Sequence, residues 1–359
     1  MDSMTNEISE DLFRLAVGLL KELIGIPSFS KEENAAASSV ERFFAERNIA
    51  VNRLKNNVWV ANKYFDPGKH SVLLNSHIDT VKPNKDYTRD PFSATEEEGR
   101  LYGLGSNDAG GCLVSLIAAF LFFYDRQDMK YNILLAATAE EEISGGNGIE
   151  ALLPMLRNID FAIVGEPTQM QMAIAEKGLM VVDCMAYGRS GHAARDEGVN
   201  AIYNAMDDIQ WISTHSFPKV SQMLGPVKMN VTLINAGTQH NVIPATCAFT
   251  VDIRINDCYT HEEVLEIIRE HVSCEVVPRG MRLKSTFINH DHPIVVAGLN
   301  MGLQPFGSST LSDKALMPFP AIKMGPGDSA RSHIADEFIY LEDIRKGIEI
   351  YIQILNEVL

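Results

Sequence analysis

Apolar residues recur at helical spacing from Ile8 to Ile24, and the spacing predicts an amphipathic helix. Ser30-Lys31-Glu32-Glu33 has the form of a capping box, with Ser30 as N-cap, and predicts a helix running to about Phe44. Val51–Leu54 and Val58–Ala61 flank Asn56-Asn57 and predict a hairpin. Short, largely apolar runs at Val72–Asn75, Ile133–Thr138 and Phe161–Val164 read as buried strands, and Gly110–Phe123 as a buried helix. Strands alternating with helices predict an α/β sheet covered on both faces. After Lys177-Gly178 the pattern changes. Met180–Ala186, Asn200–Trp211, Met229–Ile234, Cys247–Ile255, His261–His271 and Glu275–Pro278 follow in the order βαββαβ, a ferredoxin-like unit. The chain then returns through Pro293–Gly298 to a final helix, Glu342–Val358. The expected division is a discontinuous first domain, residues 1–176 and 291–359, interrupted by an inserted domain, residues 177–290.

The 359 residues exceed what one compact core usually holds, which agrees with two domains. A net charge of −16 argues against nucleic acid and against anionic membranes as partners. The polar, acidic segment Met1–Leu12 has no secretion signal, and the apolar run Cys112–Phe123 is too short to span a bilayer. Cys112, Cys184, Cys247, Cys258 and Cys274 are scattered and lack CxxC pairing, so a reducing cytoplasm is the expected location.

Chemistry-bearing residues cluster after the predicted strands. His77-Ile78-Asp79 follows the first buried strand; a histidine there can ligate a metal while Asp79 holds its other nitrogen. Alone, it reads more readily as a hydrogen-bonded strand-end histidine. Gly103-Leu104-Gly105-Ser106-Asn107-Asp108-Ala109-Gly110-Gly111 precedes a helix. A phosphate loop is excluded, because Gly111 and Cys112 stand where Lys and Ser/Thr are required. Asp108 would repel a phosphate but suit a metal. Glu140-Glu141-Glu142 and Gly165-Glu166-Pro167-Thr168 follow the next two strands, and a glycine-rich loop beginning at Gly325 ends in His333. Groups that follow successive strands of one sheet converge on one edge. Histidines with carboxylates fit two divalent ions, zinc first, with cobalt or manganese as alternatives. There is no Gly-x-Ser-x-Gly nucleophile elbow.

These five motifs, in this order, resemble the dinuclear zinc aminoacylase and carboxypeptidase family, which includes acetylornithine deacetylase and succinyl-diaminopimelate desuccinylase. The resemblance implies a mixed-sheet, three-layer catalytic domain of the zinc-peptidase type with an inserted ferredoxin-like lid and dimerisation domain. It implies His77 and Glu166 as ligands of one zinc, His333 and Glu141 as ligands of the other, and Asp108 as the bridge. It further implies Asp79 as the residue orienting His77, Glu140 as general base, and a cis peptide at Asp108-Ala109. Ser190-Gly191-His192-Ala193-Ala194 resembles the segment whose histidine reaches the partner's active site, so a homodimer is expected, with His192 polarising the scissile carbonyl. Asn241 lies in a further family-like segment, Asn241-Val242-Ile243-Pro244. Arg254 is the expected clamp for a substrate carboxylate, with an ion pair to Asp252 as the alternative. The implied reaction removes an acetyl or succinyl group from an amino acid of the ornithine, citrulline or arginine type. A di- or carboxypeptidase and a noncatalytic binding protein are the alternatives. The chain departs from many relatives at Ala109-Gly110-Gly111, where Met-Lys-Gly is common.

Overall fold

The computed structural model describes residues 3–195 and 197–359, so Met1 and Asp2 of the acidic N-terminal segment and Asp196 of the His192 segment lie outside the described residues. The chain forms two compact units, one comprising Met1–Ile174, Ile288–Phe306 and Ser312–Leu359, the other Ala175–Phe287 and Gly307–Leu311. The second unit claims Gly307–Leu311, which the sequence pattern places in the first, because Lys177 N donates to Ser308 O at 3.1 Å.

In the first unit, Ser71–His77 forms parallel ladders with both Asn132–Thr138 and Ile159–Val164, and Ala321–Lys323 extends the parallel set beyond Ile159–Val164. The hairpin of Val51–Leu54 and Asn57–Ala61 adds antiparallel strands at one side, so the sheet is mixed. The central strands are buried over their whole lengths, which explains their continuous apolar runs. Successive side chains point to opposite faces. Leu73, Leu134, Ala136, Ala162 and Val164 pack beneath the short helix Ile149–Leu152 and Met317. The helices Ser3–Ile24, Asn34–Ala45, Gly111–Phe123 and Leu341–Val358 cover the other face. Gly111–Phe123 has no polar stripe because nearly every residue in it is buried.

The predicted capping box is corrected. The helix starts at Asn34 without a side-chain cap. Ser30 Oγ instead donates to Asp79 Oδ2 at 2.7 Å, and Glu33 accepts from Lys31 N, Asn56 Nδ2 and Glu140 N. The Ser30 bond to a carboxylate, and the Glu33 bonds to two loop amides and an amide side chain, take both groups away from the helix terminus.

The second unit is a four-stranded antiparallel sheet, ordered Lys228–Ala236, Thr246–Ile255, Gly178–Tyr187, Glu275–Pro278. The helices Ala201–Thr214 and His261–His271 cover one face, over a core that includes Met180, Val182, Phe249, Val251, Val264 and Ile268.

Candidate metal centre

Parallel strands place their C-terminal ends together. His77 ends one strand, Glu140–Glu142 follow the strand ending at Thr138, and Glu166 follows Val164. The loop after Lys323 leads to His333, and Asp108 immediately precedes the helix Gly111–Phe123 across a cis Asp108-Ala109 peptide, as expected.

His77 is buried, and its Nδ1 lies 2.8 Å from the Asp79 carbonyl oxygen. That contact requires Nδ1–H, so the lone pair sits on Nε2. Nε2 is buried without a hydrogen-bond partner, 3.4 Å from Asp108 Oδ1 and 3.7 Å from Glu166 Oε1. On the other side, His333 Nε2 lies 3.5 Å from Asp108 Oδ2 and 3.0 Å from Glu142 Oε2. Zinc bonds of about 2.0–2.2 Å at tetrahedral angles put neighbouring ligand atoms roughly 3.3–3.6 Å apart. The residues therefore fit two ions, with one oxygen of Asp108 turned to each histidine. His77 forms candidate metal-holding groups with Asp108 and Glu142, and with Glu141 and Glu166.

The electrostatics agree. Burial opposes a charge on His77, yet the carboxylates of Asp108, Asp79, Glu141 and Glu166 hold its pKa well above the usual value. Burial, reinforced by the charge of Glu166, pushes Glu141 well up. Burial lifts Glu166 to about 8, against the pull of His77. The bond to Glu142 lifts His333 to about 9. The surplus of carboxylates over cations is what bound divalent ions relieve.

Three roles expected from the sequence are corrected by this geometry. Glu140 is not placed as a base: its carboxylate accepts from Asn147 Nδ2 at 2.8 Å and Asn147 N at 3.3 Å, and it closes the loop around Gly145, where a Cβ would meet Glu140 Oε2. Glu142, rather than Glu141, faces His333, while Glu141 stands in the group with His77 and Glu166. The turn forces this shift. Glu140 adopts a left-handed φ of 57°, and Asp79 Oδ1 and Oδ2 accept from Glu141 N and Glu142 N at 3.0 and 3.1 Å. The Asp79 carboxylate thus clamps that turn, while its Oδ1 also stands 3.5 Å from His77 Nδ1, and that pairing helps hold the Asp79 pKa low against burial. Arg254 is committed to a bidentate pair with Asp252, at 2.8 and 3.1 Å, which occupies the fork a substrate carboxylate would need.

His192 and Asn241 lie in the second unit, brought together by a short ribbon in which His192 pairs with Val242 and Ala193 N donates to Asn241 O. Both are exposed. Ala194 N donates to His192 Nδ1 at 3.1 Å, which leaves Nε2–H as the outward donor of the neutral ring.

The sequence pattern gives no hint of Asp313. It is buried beneath the site and accepts from Thr138 Oγ1 at 2.8 Å and from the Asn75 amide at 3.2 Å. Burial raises its carboxyl from 3.8 to about 7. Between about pH 4 and 7 the folded chain holds a proton that the unfolded chain releases, so this group's contribution to stability declines as pH rises through that window. The permanently neutral Asp313→Asn variant is expected to melt above the wild type at pH 8, with the gap closing towards pH 4. Circular-dichroism melts of metal-free protein check this, and a gap independent of pH would refute it.

Residues 73–357 match the sequence profile of Peptidase family M20/M25/M40. The chain is 30% identical to acetylornithine deacetylase of Proteus mirabilis, over 80% of each sequence. It is 28% identical to succinyl-diaminopimelate desuccinylase 2 of a Ruegeria species, over 71% of this chain and 69% of that one. Its fold is similar to that of a dinuclear metal-binding peptidase of family M20 from Bacillus subtilis, with a TM-score of 0.74 at 16% identity over 97% and 98% of the two chains.

Proposed function

This chain belongs to Peptidase family M20/M25/M40 and is a hydrolase of that family; from that premise we propose that it holds two divalent ions, zinc first, and removes an acetyl or succinyl group from an amino acid of the ornithine, citrulline or arginine type. The observation that carries the reading is Asp108, whose two oxygens separately face His77 and His333. His77 and Glu166 would hold one ion, Glu142 and His333 the other, and Asp108 both. Bound there, the ions would lower the pKa of a water and polarise the scissile carbonyl.

The protein's own residues carry the rest. Glu141 stands within 4.8 Å of His77 and Glu166, and we assign its carboxylate the role of taking the water's proton and returning it to the leaving amine. Asp79 fixes the peptide that carries Glu141 and Glu142. His192 offers an Nε2–H donor of the kind that stabilises a developing oxyanion. We assign the second unit as a lid and as the dimerisation surface, with His192 serving the partner subunit's site and Asn241 contacting substrate beside it. In support, among the described residues the strand Lys228–Ala236 pairs on one side only and leaves Leu233 and Ile234 exposed, an edge that a second copy would cover. Five free cysteines are in keeping with a cytoplasmic location.

The acyl-amino-acid reading follows the two curated relatives. The rival, a di- or carboxypeptidase with the same site, follows the solved peptidase. A panel of N-acetyl and N-succinyl amino acids and dipeptides, assayed with zinc, cobalt and manganese, tests both. Preference for the acylated basic amino acids is expected. Cleavage of dipeptides alone would overturn the substrate assignment, and inactivity on the whole panel with every metal would favour a binding protein.

A further inference from the structure

Glu337 belongs to none of the metal-holding groups, yet it is 1% exposed and fully engaged. Its Oε1 accepts from Asn107 N at 2.8 Å and Asp108 N at 2.9 Å, and its Oε2 accepts from Gly105 N at 3.0 Å. Its backbone oxygen accepts from Gly103 N at 3.0 Å. One residue thus binds four amides of the loop that presents Asp108, and it lies four positions beyond His333. It opens the strand Phe338–Tyr340, whose pairing with Arg100–Tyr102 brings the two segments side by side.

A second tie joins the same segments. Asn107, also fully buried, accepts from Asp328 N and donates to Asp328 O, each at 3.0 Å. At Gly327, with φ of 87°, a Cβ would stand 2.4 Å from Asn107 Oδ1, so the approach needs glycine. The His77–Glu166 side is held otherwise, by two central strands and the Asp79 carbonyl.

We infer that Glu337 is a positioning residue that locks the Asp108 loop to the His333 segment and thereby sets the affinity of the second ion more than that of the first. The inference rests on the paired-ion reading of the site. The asymmetry has a physical basis. The His77 side chain is 1% exposed and that of His333 is 53% exposed, so the second position depends more on loop order. In Glu337→Gln an NH₂ group replaces one acceptor oxygen and faces a backbone N–H, leaving at least one buried donor unpaired.

The test is titration of metal-free protein with zinc, read by calorimetry and by metal content after dialysis, for wild type, Glu337→Gln and Glu337→Asp. Two ions are expected in the wild type. In Glu337→Gln the first is expected to be retained and the second weakened roughly 10–100-fold, the scale of outer-shell effects on metal affinity. Glu337→Asp, which keeps the carboxylate one methylene shorter, is expected to fall between them, and it provides the reading if the glutamine variant does not fold. Added zinc should recover turnover in both. A role in folding alone would lower the melting temperature of the metal-free chain and leave both affinities unchanged. That result, or equal weakening of both ions, overturns this inference while the paired-ion reading stands. Fewer than two ions in the wild type overturns both.

Discussion

Glu141→Gln is expected to lower kcat by about 10²–10⁴-fold while two metal ions stay bound. The amide keeps the size and shape of the side chain but cannot take a proton from water. Glutamine keeps an oxygen beside His77 and Glu166, and the other ligands are untouched, so metal content should change little. Glu140→Gln supplies the contrast. It disturbs the bonds to Asn147 and the packing at Gly145, so it should cost stability and cost kcat far less. Turnover numbers and metal content measured side by side separate the two residues. A silent Glu141→Gln with an inactive, metal-loaded and stable Glu140→Gln would restore the assignment read from the sequence alone.

Asp108→Ala is expected to remove activity by more than about 10³-fold, because the Lewis-acid contribution of the ions is worth several kcal/mol and each 1.4 kcal/mol is tenfold. The cause differs from that in Glu141→Gln. Asp108 turns one oxygen to each histidine within 3.5 Å, and its pKa is held low despite burial by the bond to His77. Without it, His77 and Glu166 form one incomplete set, and Glu142 and His333 another. Affinity for both ions should fall, and added zinc should restore little turnover. Substantial activity in Asp108→Ala at saturating zinc would mean that the residue does not bridge.

Much of this site could be read from the chain, for a reason visible in its strands. Continuous apolar runs such as Ile133–Ala137 mark strands buried on both faces, and such strands are mostly parallel. Residues just past their ends then share an edge whatever their separation in sequence. That brought together His77, Glu166 and the acidic triplet, with Asp108 and His333 supplied by the motif order. The assignment within the triplet was not legible. Three consecutive glutamates carry no pattern, and the choice depends on the left-handed φ of Glu140 and on the grip of Asp79 on the next two amides. Ser30 and Glu33 misled because a helix cap and ties between loops, here to the Asp79 carboxylate and to the Glu140 amide, use the same residue types. Glu337 and Asp313 gave no signal at all. Each lies outside any long helix or strand, and its importance comes from partners some 175 to 238 positions away in the chain.

The most direct test of the central claim is anomalous diffraction at the zinc edge from crystals grown with zinc. Two peaks are expected at the sheet edge, one beside His77 and Glu166, the other beside Glu142 and His333, with the Asp108 carboxylate between them. A single peak, or peaks remote from Asp108, would contradict the account.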